Sequence, residues 1–345
     1  MSQSWWARIG TGVAVAGVVG LGLLAVPAGA GAAPELPPVS PEDLVTSVQQ
    51  AKPGPFNGTV ELDNQLGLPA IPDVPQLANG TSTARVWSGG DGKGRVSLPS
   101  AQGEKTLVSD GTTSWAYDSA DRTAVKSAAG AHPDADMTDP TRSAAEAITQ
   151  LRQTSDVRVD GTAEVAGRPA YELVLTPKPT ERTLLREVRI AVDAEKRIPL
   201  RLTVLANGST DPAFELGFSA ISYGPQDASL FAFTPPPGTT VKDGAGRPQT
   251  GAAKPEGAAP TVVGDGWDTV IVARMPAGQA APDAAQGRAR PEGTPNLAQL
   301  GTPVSGSWGS GRLITTAVAA AIVTDDGRVA VGAVPQQVLT EALAK

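Results

Sequence analysis

The chain has 345 residues, 40% of them hydrophobic, which is enough for about two domains. Its formal net charge of -7 argues against a non-specific nucleic-acid binder, whose surface would be basic. There is no cysteine, so disulfides, thiolate catalysis and cysteine-ligated zinc are excluded.

The N-terminus comes first in chain order. After Arg8 no charged residue occurs until Glu35, and residues 9–26 are an apolar run. Pro27 breaks that run, and small residues of the A-x-A kind follow from Ala28 to Ala33. Residues 1–33 have the layout of a secretory signal peptide, and the run at 9–26 is also long enough to span a bilayer. The protein is therefore expected outside the cytoplasm, secreted or anchored to the membrane by residues 9–26. No cysteine follows the run, so a lipobox-type lipid anchor is excluded.

Residues 34–39 are a proline-rich spacer. Ser40-Pro41-Glu42-Asp43 predicts a helix start: a capping hydroxyl, a proline suited to the first turn and two acids at the positive end of the dipole. Leu44, Val45 and Val48 give that helix an apolar side, and Pro53-Gly54-Pro55 ends it. Strands are predicted at 56–62, 82–87, 94–98, 105–109, 113–117 and 122–126, with glycine turns at 89–92 and 110–111. Asp139-Pro140 opens a second predicted helix with Ala144, Ala147, Ile148 and Leu151 on one side, and strands resume at Val157.

From Gly167 onward the pattern is a meander. Residues 170–175, 187–192 and 199–204 read as strands, with polar and apolar positions alternating. Asp193-Ala194-Glu195-Lys196 is a polar turn, and Asn207-Gly208 is a hairpin signal. Phe214 to Phe218 follows, then Phe231-Ala232-Phe233-Thr234-Pro235-Pro236-Pro237-Gly238 closes the run. Residues 242–260 are a flexible linker. Residues 261–345 form a small second domain: a strand from Trp267 to Ala273, a low-complexity insertion at 276–298, a turn at 308–311, a strand-like run at 312–324, a return strand at 328–334 and a closing helix at 335–344. The order of helix, strands, helix, strands predicts α+β with an antiparallel sheet rather than a βαβ enzyme fold.

The strand, aspartate turn, basic-proline strand, Phe strand and final F-x-F-x-P-P-x-G resemble the C-terminal half of the lipoprotein-carrier (LolA-like) domain. The RseB/MucB family of sigma-factor regulators shares that half-barrel. Phe56-Asn57-Gly58-Thr59-Val60 is similar to the family's opening F-x-G-T strand, and Trp115-Ala116-Tyr117-Asp118 to the carrier family's W-x-Y-D strand. Gly264-Asp265-Gly266-Trp267 resembles the S-D-G-L start of the regulator's second domain, with Trp in place of Leu. Val331-Gly332-Ala333-Val334-Pro335 resembles its V-G-E-V-P ending, with Ala in place of Glu. The combination is most similar to exported actinobacterial members. The resemblance implies an antiparallel half-barrel over residues 40–241, covered by helices, followed by a small α+β domain.

It also implies a non-enzymatic protein whose partner is an acyl lipid or a lipoprotein. Two alternatives stay open: a regulator that senses envelope lipid while holding a single-pass membrane protein such as an anti-sigma factor, and a scaffold with a filled core. Candidate lipid-lining residues are Trp87, Leu98, Trp115, Tyr117, Tyr171, Leu173, Leu175, Ile190, Leu202 and Phe218. Each could equally be core, and alternation forbids that all face inward. No cofactor, metal or nucleic-acid partner is expected. His132, the single histidine, lies in a polar loop with Asp134, Asp136 and Asp139, and no G-x-S-x-G, P-loop or dinucleotide motif occurs.

Overall fold

Alternating polar and apolar residues organise two antiparallel runs of strands that join into one sheet. The computed structural model describes residues 34–67, 79–128, 148–244, 260–274 and 301–345. The first run is β1 (Phe56–Asn64), β2 (Gly80–Gly90), β3 (Lys93–Ser100), β4 (Gly103–Asp110), β5 (Thr113–Asp118) and β6 (Thr123–Ala128). The second is β7 (Ser155–Val165), β8 (Arg168–Pro177), β9 (Leu185–Asp193), β10 (Pro199–Ala206) and β11 (Pro212–Tyr223). β1 pairs with β11 and fuses the two meanders, and β12 (Thr240–Asp243) adds a parallel strand beside β6. The result is an open sheet of twelve strands with β12 and β7 at its edges.

Turn chemistry sets the hairpins. Ala166 and Gly167 both have positive φ, the geometry of a two-residue turn whose twist matches the strands it joins. α1 (Pro41–Gln49) begins as its sequence predicts, with the Ser40 hydroxyl accepting from the Asp43 backbone N–H at 3.1 Å, and it ends before the Pro53-Gly54-Pro55 stop. Residues 148–154 are helical, and Arg152 there pairs with Glu42 of α1. Leu44 and Ile148 from these helices pack with Val157, Tyr171, Leu173 and Val192 of β7–β9 in one buried cluster.

A second sheet of six strands follows, in the order β13 (Thr261–Val263), β14 (Val270–Arg274), β18 (Arg328–Gly332), β17 (Ala320–Thr324), β16 (Gly309–Thr315), β15 (Thr302–Gly306). α2 (Gln336–Leu343) covers one of its faces, burying Val338, Leu339 and Leu343 against Val270, Ile322 and Ala330. The loop between β8 and β9 reaches into this second core. Leu184 packs against it, and the Ala333 carbonyl accepts from the Thr183 hydroxyl (2.6 Å) and the Leu184 N–H (2.8 Å).

The class is α+β, built on antiparallel open sheets. Four details differ from the sequence reading. Trp267 lies in a 3-10 turn (Gly266–Asp268), and the strand after it starts at Val270. The run at 312–324 is two strands separated by residues 316–319, because Thr316 folds a tight turn through its hydroxyl and the Ala319 N–H (2.9 Å). The turn foreseen at 308–311 ends sooner, since β16 already begins at Gly309. The stretch from Phe231 to Gly238 contains no strand; it follows a 3-10 turn (Ala228–Phe231) and crosses the sheet instead of joining it. The foreseen signal segment at 1–33, the His132 loop and the insertion at 276–298 lie outside the described residues, as does most of the linker.

One buried charge cluster ties the hairpin ends together. Asp193, fully buried at the end of β9, accepts from Arg168 Nε (2.9 Å) and Nη2 (3.1 Å), from the Tyr223 hydroxyl (3.2 Å), and from the backbone N–H groups of Glu195 and Lys196 (both 2.8 Å). Burial alone would raise the Asp193 pKa. The Arg168 guanidinium and the two N–H groups overcome that effect and hold the carboxyl below its ordinary value. Burial and the Asp193 charge push the Tyr223 phenol up.

Asp193→Asn leaves the Arg168 charge without its buried partner and is expected to lower unfolding free energy by about 3 kcal/mol. The carboxyl's folded pKa is depressed, so its stabilisation is present above the ordinary carboxylate pKa and is lost as pH falls through the folded value. Urea titrations near neutral pH and in acid check this: the gap between wild type and variant should narrow in acid.

Candidate functional site

Cross-strand partners share a face of a sheet, so the register sorts every side chain. One row runs Val86–Val96–Leu107–Ala116–Val125 across β2–β6. Beside it on the same face runs Ser88–Gly94–Ser109–Ser114–Ser127. On the other flank Leu98 is followed by Lys105, Asp118 and Thr123, with Lys105 and Asp118 paired at 3.5 Å.

The first two rows form the wall of a cavity of about 520 Å³ whose lining includes Phe56, Val86, Val96, Leu107, Ala116 and Val125. That volume is within the usual range for small-ligand sites, roughly 300–1,000 Å³. Five adjacent strands of one sheet can line one cavity only if the sheet curves around it, so this face is the concave one. Leu107 at its centre is 49% exposed, unusual for a leucine in the middle of a sheet. Among the described residues, no carboxylate or histidine lines the cavity.

The same face continues through Val60, Phe218, Leu216 and Leu202 to Ile190, Leu173 and Leu175. Over Ile190, Leu173 and Leu175 it is filled, because α1 and residues 148–154 pack on it, whereas Leu216 between them and the cavity stays 39% exposed. The cavity ends at an aromatic pair. Phe56 and Phe218 meet edge to face with ring centroids 6.1 Å apart. Gly58 makes this possible: a Cβ there would lie 2.8 Å from the Phe218 ring and 2.6 Å from the Ala220 carbonyl oxygen. The glycine of F-x-G-T therefore serves a close approach of ring to backbone.

The candidate residues divide between the two faces. Leu98, Tyr171, Leu173, Leu175, Ile190, Leu202 and Phe218 lie on the concave face, with Tyr171, Leu173, Leu175 and Ile190 under the helices. Trp87, Trp115 and Tyr117 have the opposite parity. The cavity wall includes positions 87, 95, 108 and 115, but their side chains alternate to the convex side, where Trp87 faces Arg95 and Trp115 faces Val108 and Lys126. Residues 228–233 cross that side. Phe233 stacks against Trp115 (5.5 Å) and Tyr117 (5.6 Å), and Arg95 Nη1 donates to the Leu230 carbonyl at 3.4 Å. Phe56, Val86, Val96, Leu107, Ala116 and Val125 were not foreseen as a site. Their signal was the phase of alternation opposite to the aromatic one.

Among the described residues, no group of three or more His, Asp or Glu is placed to hold a metal ion, and no helix is long and apolar enough to cross a membrane.

No protein-family model matches the chain, and no curated protein matches it. Solved structures do. The complex of MucA and MucB from Pseudomonas aeruginosa matches with 16% identity, 87% of this chain and 94% of that one covered, and a TM-score of 0.43. A conserved protein from Thermus thermophilus matches with 14% identity, 59% and 98% covered, and a TM-score of 0.37. A LolA-superfamily protein from Nitrosomonas europaea matches with 12% identity, 57% and 99% covered, and a TM-score of 0.25. The chain is thus similar to structures of the two kinds that its motifs resemble.

A double-mutant cycle of Trp115→Ala and Phe233→Ala should return a coupling of about 1 kcal/mol in urea unfolding, as expected for an aromatic pair. A coupling near zero would mean that the crossing segment does not rest on the convex face.

Proposed function

We propose that this is an exported, non-enzymatic protein that holds an acyl chain of a lipid or lipoprotein on the concave face of β2–β6. The observation that carries this reading is the uncovered apolar row Val86–Val96–Leu107–Ala116–Val125 over the cavity, beside a region of the same face that helices fill. An acyl chain gains about 0.8 kcal/mol for each methylene removed from water. Such a site needs no catalytic group. Export is supported by the arrangement of charged, apolar and small residues in the first 33 positions. Acyl capture serves a carrier and a sensor alike. A carrier would pass lipid between vesicles, whereas a sensor would also hold a single-pass membrane protein such as an anti-sigma factor.

Ala116 lies next to the central Leu107 and is the smallest side chain in the row, so a large side chain there should occupy the cavity. Ala116→Trp is expected to weaken uptake of a fluorescent fatty acid at least about tenfold, the loss of one to two methylenes' worth of burial, with thermal unfolding preserved. Unchanged uptake by a folded Ala116→Trp protein would remove this face from consideration.

A further inference from the structure

The apolar row does not end at β6. β12 lies parallel to β6 with Lys242 opposite Val125, so Lys242 is the sixth member of the row and stands on the edge strand of the sheet. It is exposed and makes no ion pair among the described residues. Among the described residues of the concave face of β2–β6 and β12, the other lysine is Lys105, and Asp118 at 3.5 Å already neutralises it. The row therefore runs from an aromatic stop at Phe56 and Phe218 to a lysine cation at an open edge.

Resting on the acyl-binding reading above, the geometry points to a single-chain lipid with an anionic head group, its chain lying across the strands and its head at Lys242. Five inter-strand steps separate Val86 from Lys242, a span of roughly 24 Å at about 4.8 Å per step. The span suits one extended chain. The floor is widest near the aromatics, where Leu98 flanks it, and narrows toward β6, where serines border one side and the Lys105–Asp118 pair the other. A second chain alongside would have to cover those polar side chains. The tail belongs at the aromatic end, because Phe56, packed edge to face on Phe218, bounds the cavity there. The head belongs at the edge, where water and a positive charge meet. A carboxylate or a phosphate satisfies that charge equally.

The test uses the full chain with cis-parinaric acid and its methyl ester, which share a chain and differ in head-group charge. At low salt the wild type should bind the acid about three- to fivefold more tightly than the ester, the size expected for an exposed ion pair. Added salt should erode that preference. Lys242→Gln should abolish the preference while leaving ester binding unchanged, and Lys105→Gln should leave the preference intact. Lysophosphatidate should displace the bound acid; inorganic phosphate alone should not. An acid preference that survives in Lys242→Gln, or displacement by inorganic phosphate alone, would overturn the assignment of the head group to Lys242. Equal binding of acid and ester by wild type would overturn it too while leaving the acyl site standing. Binding of neither probe would instead bring down the acyl-binding reading itself.

Discussion

A twelve-stranded sheet with one continuous apolar face must cover that face, and the rest of the molecule is arranged around this constraint. Over β7–β9 the cover is α1 and the helical residues 148–154, which bury Leu44 and Ile148 against Tyr171 and Leu173. Over β2–β6 the corresponding row is made of side chains no larger than leucine, and Leu107 remains half exposed. One face thus carries two solutions. One half has become an ordinary core, and the other is a concavity whose apolar surface lacks a partner among the described residues. The concavity ends at Phe56 against Phe218, and that packing depends on the missing Cβ of Gly58.

The convex side of β2–β6 is covered from a different part of the chain. After β11 the backbone leaves the meander, crosses that face with Phe231 and Phe233, and returns to the sheet as β12 beside β6. The three prolines at 235–237 cannot donate to a strand ladder, which suits a segment that crosses strands rather than pairing with them. The crossing also positions β12, and β12 places Lys242 at the end of the apolar row. The F-x-F-x-P-P-x-G segment therefore packs one side of the sheet and extends the other.

The strands were legible because alternation and turn chemistry are local. Asp193, Asn207-Gly208 and the glycines after β2 and β4 mark hairpins whatever the tertiary structure does. The site was less legible, because alternation has two phases and a sequence does not say which is concave. In Thr113-Ser114-Trp115-Ala116-Tyr117-Asp118 the large rings draw the eye, yet they are matched by Phe233, far along the chain, and form a packed surface. A cavity is lined by residues too small to fill it, so choosing the largest side chains selects core instead. Ala116 and the serines beside it were the informative positions. Trp267 misled for a related reason. It stands where a strand was expected, but its N–H donates to Glu181 (2.9 Å) and its indole to Ser155 (2.7 Å), so a 3-10 turn at the other sheet uses it.

That last contact bears on how the two sheets behave together. Ser155 is 1% exposed and opens β7, directly after the helical residues that fill the concave face. Its hydroxyl meets the Trp267 indole, while Leu184, just before β9, packs into the second core and is hydrogen-bonded to Ala333. Chain linkage alone would leave the six-stranded sheet free to move, as modest polar contacts between units commonly do. Here a leucine, a tryptophan and several buried hydrogen bonds must be given up at once to part the sheets. Buried donors and acceptors left unmade cost more than made ones contribute, so the contact holds as a unit. The residues that anchor the second sheet, Ser155 and the stretch 181–184, thus adjoin the strands β7–β9 on which the helices of the concave face pack.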